Sequence, residues 1–316
     1  MQTKKIANTD LEVAPLAFGG NVFGWTIDSK KSFEILDNFI GEDFNLIDTA
    51  NNYSYWVKGN DGGESERIIG DWLKKSKKRH EVVIATKVGG RGENRSNPNN
   101  TRKHILEEVD QSLLRLKTDY IDLYQLHYDD EETDVEETLS AFQELIQQGK
   151  IRWIGASNIS PERLKQSLEV AEKRNLPKYQ TLQPLYNLYE RESFESNYQS
   201  IAKQYNLAVL SYYSLASGFL TGKYRSEEDL GISQRGKDVK KYLTDKGFRI
   251  LKTLDEVAQE FDTTPTAVSL AWLIHQPTLV APIASATRVE HLKAFKEAVG
   301  MNLTKDALDR LNQAST

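Results

Sequence analysis

Eight short apolar runs recur along the chain, at Pro15–Gly20, Phe44–Asp48, Val82–Lys87, Ile121–His127, Ile151–Ala156, Tyr179–Gln183, Leu207–Tyr213 and Leu279–Ile283. Each is continuous rather than alternating, the pattern of a parallel strand with both faces buried. The stretches between them read as helices. Arg102–Leu116 places Ile105, Val109, Leu113 and Leu116 on one face, and Val135–Ile146 does the same with Val135, Leu139, Phe142 and Ile146. Ser160 before Pro161 and Glu162 is an N-cap with proline at the first helical position, and Thr264–Pro265 repeats the signal. Gly149 and Gly300 suit helix C-termini.

Strand and helix alternate eight times, with most repeats about 30 to 40 residues long, the size of a βα unit. An open doubly wound sheet has five or six such units and a G-x-G-x-x-G after its first strand. The glycines of Gly19–Gly24 and Gly89–Gly92 do not fit that spacing. The expected fold is therefore α/β, a (β/α)8 TIM barrel forming one domain over residues 1–316, a length such barrels commonly reach. Lys4–Val13 is expected to form a hairpin closing the bottom. The longest irregular segment, roughly Ala216 to Asp245 after the seventh strand, is expected to be a covering loop.

Composition narrows the function. With 39% hydrophobic and 28% charged residues the chain has enough apolar material for a large core, which excludes disorder. The absence of cysteine excludes disulfides, thiolate metal sites and a cysteine nucleophile. A net charge of −5, spread along the sequence, leaves no footprint for nucleic acid. The five histidines, at 80, 104, 127, 275 and 291, have no paired-ligand spacing, so no metal is expected. The first residues lack the apolar stretch of a signal peptide, and no run approaches a membrane span. A cytoplasmic location is the default expectation, and the oligomeric state stays open.

The chemistry is expected at the C-terminal ends of the strands. The second strand stops on Asp48, with Tyr53 five residues later, the third on Lys87 and the fourth on His127. Alone, Asp48 is a turn cap, Lys87 a solvated end, Tyr53 core or rim, and His127 a structural histidine. Together on three adjacent strand ends they fit carbonyl reduction. Hydride delivery to C=O develops negative charge on oxygen, which needs a donor. A tyrosine titrates near pH 10, and a neighbouring ammonium is expected to lower that pKa by favouring the phenolate. Asp48 would hold Lys87 in place and charged, and His127 would orient the carbonyl or share in proton delivery.

At these residues the chain resembles the aldo-keto reductase family along nearly its whole length. The resemblance rests on Asp48-Thr49-Ala50-Asn51-Asn52-Tyr53, Gly63-Glu64-Ser65-Glu66 with Ile69-Gly70, Thr86-Lys87, Asp119–Leu123 with His127, Gly149–Asn158, Gln183–Asn187 and Tyr212–Lys223. It implies a catalytic set of Asp48, Tyr53, Lys87 and His127, with Tyr53 as proton donor. It implies that Ser157, Asn158 and Gln183 hold a nicotinamide carboxamide and that Tyr212 stacks on the ring. Ser214, Leu215, Ser217 and Lys223 would cover the pyrophosphate, Ser285, Thr287 and Arg288 would meet an adenosine 2′-phosphate, and His291 would lie among the adenine and ribose contacts. Gly20, Asn21 and Arg235 complete the expected cofactor contacts. A guanidinium beside a helix start suits a phosphate, so NADP(H) is expected over NAD(H).

The chain departs from the family pattern at Ser285, often glycine, at His291, often glutamine, at Phe295, often asparagine, and at Ser214, often proline. The segment Ser54–Gly63 is longer than in many relatives. Phe23, Trp25, Tyr55, Trp56 and Tyr128 are expected to wall the pocket for a small carbonyl substrate, apolar or aromatic. A non-catalytic NADP(H)-binding regulator similar to potassium-channel β subunits is the alternative, which His127 argues against. A Schiff-base lyase using Lys87 is disfavoured by the expected Asp48 neighbour, which keeps a lysine protonated.

Overall fold

The computed structural model describes residues 2–90 and 97–316, so Gly92 lies outside the described residues. Among these are β1 (Lys4–Lys5), β2 (Glu12–Val13), β3 (Ala17–Gly19), β4 (Leu46–Asp48), β5 (Val83–Val88), β6 (Ile121–Leu126), β7 (Ile151–Ser157), β8 (Thr181–Gln183), β9 (Ala208–Ser211) and β10 (Leu279–Ala284). Strands β3 to β10 are parallel neighbours in chain order, and β10 pairs back onto β3. The result is a closed (β/α)8 barrel. Strands β3, β4, β6, β8 and β9 are shorter than the apolar runs that contain them, β7 and β10 reach one residue past theirs, and β5 is shifted one residue on. Pro15 and Leu16 precede β3, and Tyr212 and Tyr213 follow β9, where Tyr213 turns to φ +52°.

Successive strand residues face opposite sides of a sheet, so every second residue enters the barrel. Ala17, Leu46, Val83, Ala85, Leu123, Ala208, Leu210, Ala281 and Ile283 form one apolar cluster, joined by Ile6, Leu11 and Val13 of the N-terminal hairpin. The intervening residues, among them Phe18, Ile47, Ile84, Tyr124, Ile154, Leu182 and Val209, pack outward against the helices in a second, larger cluster. In the hairpin β1 and β2 pair antiparallel, and the Lys4 ammonium donates to the carbonyls of Ile274 and Leu279 at 3.1 and 3.0 Å. These contacts seal the N-terminal end of the barrel.

The helices begin where side chains satisfy free N–H groups. Thr101 caps Arg102–Leu116, Ser160 caps Pro161–Arg174 and Thr264 caps Pro265–Ile274, each hydroxyl accepting from the N–H three residues on. Gly149 takes φ +71° just past the helix Val135–Gln147. The segment after β9, expected as an irregular covering loop, carries short local structure. It is built from 3-10 turns at Ala216–Thr221, Glu227–Ile232 and Lys240–Tyr242 and a short helix at Gly236–Val239. Glu190 anchors it by accepting from the Tyr242 hydroxyl at 2.8 Å and the Lys241 ammonium at 2.9 Å. No helix among the described residues is long and apolar enough to cross a membrane.

Candidate active site

The inner face of the barrel changes character within two residues. Moving up from the apolar cluster, Leu46 gives way to Asp48, Ala85 to Lys87, Leu123 to Gln125 and His127, and Thr181 leads to Gln183. Period-two alternation thus aims these polar side chains into one layer near the C-terminal ends of the strands. Gly155 makes room for them: a Cβ there would lie 1.9 Å from Thr181 Oγ1 and 3.1 Å from Gln125 Cγ.

The structure brings Asp48, Tyr53, Lys87 and His127 together. Lys87 Nζ is fully buried and donates to Asp48 Oδ2 at 2.6 Å, the Thr49 carbonyl at 2.8 Å and the Tyr53 hydroxyl at 3.0 Å. All three ammonium donors are therefore used. The His127 ring meets the Tyr53 ring edge-on at 5.9 Å, and its Nδ1 is buried without a hydrogen-bond partner among the described residues. Sequence reasoning missed Gln125. Its Nε2 donates to Asp48 Oδ1 at 3.3 Å beside Gln183 Nε2 at 2.8 Å, and its Oε1 accepts from Thr181 Oγ1 at 3.3 Å. The signal was available, because Gln125 lies two residues before His127 on the same strand face.

Burial dominates the electrostatics. It pushes the Tyr53 phenol well above its ordinary value, and the Asp48 carboxylate adds to that rise while the Arg235 charge opposes it. The expectation that Lys87 would lower this pKa is not met, because burial, followed by the Asp48 charge, outweighs the ammonium. Burial pulls Lys87 below its usual range, and the Asp48 charge and hydrogen bond oppose that pull. Burial and then the Lys87 charge hold His127 well below the ordinary imidazole value, so its ring is neutral at physiological pH.

Around this centre lie the residues expected to hold a cofactor. Asn158, at φ +43°, donates to the His127 carbonyl at 2.8 Å and accepts from the Tyr212 hydroxyl at 3.0 Å. Ser157 Oγ donates to the Gln183 carbonyl at 2.8 Å. Three polar amide and hydroxyl groups thus sit in fixed positions beside the half-buried Tyr212 ring. Ser214 Oγ turns back to the Ser211 carbonyl at 3.0 Å, Leu215 and Ser217 open the 3-10 turn that follows, and Lys223 lies just past its end. Ser285 Oγ lies 2.7 Å from the Gly19 carbonyl and 2.8 Å from Asn21 Oδ1, which joins the ends of β10 and β3. A Cβ on Gly20 would lie 2.8 Å from Ser65 Oγ. Arg288 and Thr287 gather on His291. A dinucleotide fits these residues: Arg235 Nη2 is buried without a partner, and the Arg288 guanidinium and Lys223 ammonium form no ion pair among the described residues. Phe295, at a family asparagine position, is buried edge-on against Phe44 and faces the core.

The opening is aromatic. Trp56 makes edge contacts with Tyr53, Tyr55 and Trp25 at 6.2, 5.4 and 5.5 Å, and Tyr128 lies 4.8 Å from the His127 ring. The segment that carries Trp56 is stitched to the loop after β3, with Ser54 Oγ donating to the Phe23 carbonyl at 2.7 Å. Phe23 itself does not line the opening as expected. Its ring is fully buried and stacks on Phe18 at 5.3 Å, because the loop turns it back into the core. Arg235 reaches over the Trp25 ring at 5.1 Å, and its charge acts on the Tyr53 phenol. Two wide clefts around Arg79, His80 and Lys117 lie at the opposite end of the barrel, away from this layer.

The sequence profile of the Aldo/keto reductase family matches residues 15–316. The chain is similar to the aldo-keto reductase YhdN of Bacillus subtilis, with 34% identity over 99% of this chain and 93% of that protein. It is also similar to Protein tas of Escherichia coli, at 30% identity over 98% of this chain and 96% of that one. A probable voltage-gated potassium channel subunit beta of Arabidopsis thaliana is 29% identical over 99% and 96%. With the closed barrel and its polar upper layer, these matches establish that the chain belongs to the aldo/keto reductase family and is an oxidoreductase by kind.

Proposed function

We propose that this protein reduces aldehydes or ketones to alcohols with NADPH, and that Tyr53 donates the proton. The observation that carries this reading is the buried Lys87 ammonium, which lies 3.0 Å from the Tyr53 hydroxyl and 2.6 Å from Asp48. NADPH, when bound, supplies the hydride to the carbonyl carbon. Ser157, Asn158 and Gln183 would hold its carboxamide, Tyr212 its ring, Ser214 to Lys223 its pyrophosphate, and Arg288 its 2′-phosphate.

The protein's own part is proton delivery and shaping. A Tyr53 phenol held above its ordinary pKa stays protonated through the physiological range, so the acid is always loaded. As charge grows on the carbonyl oxygen, the phenol proton passes to it, and the phenolate left behind is stabilised by the Lys87 ammonium already hydrogen-bonded there. Neutral His127 offers one N–H to the same oxygen. Asp48, held by Gln183 and Gln125, keeps Lys87 in line. The aromatic wall of Trp25, Tyr55, Trp56 and Tyr128 excludes water and favours apolar or aromatic carbonyls.

The test is NADPH oxidation followed by absorbance over a panel of aromatic and aliphatic aldehydes, with NADH as control. Carbonyl-dependent oxidation is expected, with at least about a hundredfold loss in Tyr53→Phe and little change in NADPH affinity. Wild-type turnover in Tyr53→Phe would remove Tyr53 as the acid. Tight NADPH binding with no turnover on any carbonyl would favour the regulatory reading, which the likeness to a potassium channel subunit keeps in view.

A further inference from the structure

Just past β10, a cluster of donors surrounds a single acceptor. The Arg288 guanidinium points its Nε and Nη2 at His291 Nε2, both at 3.2 Å. The backbone N–H of Thr287 points at the other ring nitrogen, Nδ1, at 3.4 Å. The Lys223 ammonium, carried by the segment after β9, is near enough for its charge to act on the ring, and among the described residues Glu290 is the one acid that does so. A neutral imidazole offers one lone pair and an imidazolium none. Both nitrogens here face donors, so one contact always sets donor against donor. Arg288 has no carboxylate partner among the described residues, and the half-buried ring fills that role in place of an anion.

We propose that His291 is a proton-linked reader of the cofactor's 2′-phosphate: the phosphate takes over the Arg288 donors, and the released ring binds a proton from solvent at Nε2 and donates it to the phosphate. Binding NADPH then takes up a proton, and binding NADH does not. This rests on the reading that the 2′-phosphate lies at Arg288. The physical ground is the reversal of the ring's surroundings. Without ligand, burial, Arg288 and Lys223 all disfavour the charged ring, and only Glu290 opposes them. A phosphate dianion offsets both cations and replaces two donors on Nε2 with an acceptor. His291 stands where glutamine is common in the family, and glutamine can accept from Arg288 but cannot titrate.

Isothermal titration with NADPH and NADH near pH 7.5, in two buffers of different protonation enthalpy, counts the protons. The phosphate's own second pKa is about 6, so its contribution there is small and is shared by every variant. The wild type is expected to take up a measurable fraction of a proton with NADPH and almost none with NADH. His291→Gln is expected to take up none with either. The preference for NADPH over NADH in the wild type should fall as pH rises between the free-ring and bound-ring pKa values, by up to about tenfold per unit, and stay flat in the variant. Equal proton uptake in His291→Gln overturns the proposal, as does zero uptake in the wild type, which would mean that the ring only exchanges its tautomer. NADPH binding no tighter than NADH in both proteins would instead overturn the cofactor reading, and affinity alone reveals that case.

Discussion

Replacing Asp48 by asparagine isolates what the buried ion pair contributes. The carboxylate accepts from Lys87 at 2.6 Å on one oxygen and from Gln183 and Gln125 at 2.8 and 3.3 Å on the other. All three partners donate, so an amide can satisfy only one side, and Lys87 becomes a fully buried ammonium with no counter-charge in contact. Removing one member of such a pair costs about 3 to 5 kcal/mol. For a chain of this size that lowers the melting temperature by about 5 to 8 °C near neutral pH. The loss should depend on pH, with a definite sign. Burial already lowers Lys87 in the folded protein, and Asp48 is the main force against it. In Asp48→Asn the folded pKa drops further below the unfolded value of about 10.4. Between the two, the unfolded chain holds more protons, so stability rises with pH by up to about 1.4 kcal/mol per unit. The variant enters this window at lower pH than the wild type, so its deficit is largest at low pH and narrows as pH rises. Melting both proteins by circular dichroism from pH 6 to pH 9 reads this directly. A deficit that stays constant across that range would refute the reasoning, since the cost would then come from amide packing rather than a stranded charge.

Gln125→Met keeps the side-chain volume but removes a donor to Asp48 and strands the Thr181 hydroxyl. Melting is expected to drop by about 4 to 6 °C, with kcat reduced less than tenfold; a kcat as low as that of Asp48→Asn would mean that Gln125 governs the proton donor more directly. Gly155→Ala puts a Cβ 1.9 Å from Thr181 Oγ1 inside a closed barrel. It should cost at least about 2 kcal/mol, and adding Thr181→Ala should recover much of that in thermal melts; an undamaged single variant would show that the barrel wall gives way freely.

The barrel was legible because parallel strands buried on both faces leave continuous apolar runs, and eight of them exceed what an open sheet uses. Asp48, Lys87 and His127 were legible for a related reason: each interrupts such a run at its C-terminal end, where this architecture places its openings. What the sequence withheld depends on neighbours distant along the chain. Phe23 reads as a pocket aromatic, but its loop folds the ring back onto Phe18. Lys87 reads as a lysine that lowers the Tyr53 pKa, but burial and then the Asp48 charge both raise it, and the outcome reverses. Arg235 reads as a cofactor contact, and only the folded segment after β9 places it over Trp25.

The polar layer also explains where the fold tolerates unfavourable backbone. Asn158, Tyr213 and Ser217 all adopt φ between +43° and +57°, and all follow the C-terminal ends of strands. Each left-handed residue other than glycine costs about 1 to 2 kcal/mol. Asn158 shows why the cost persists: its amide is fixed at both ends, by the His127 carbonyl and by the Tyr212 hydroxyl, so it bridges the ends of β6 and β9 from β7. A regular strand ending would lose both bonds and release Tyr212 and His127 together. The apolar cluster beneath, sealed by the N-terminal hairpin, supplies the stability that lets the upper rim hold buried charge and strained turns in one place. In this barrel the stable end and the reactive end are separated by a single step along each strand.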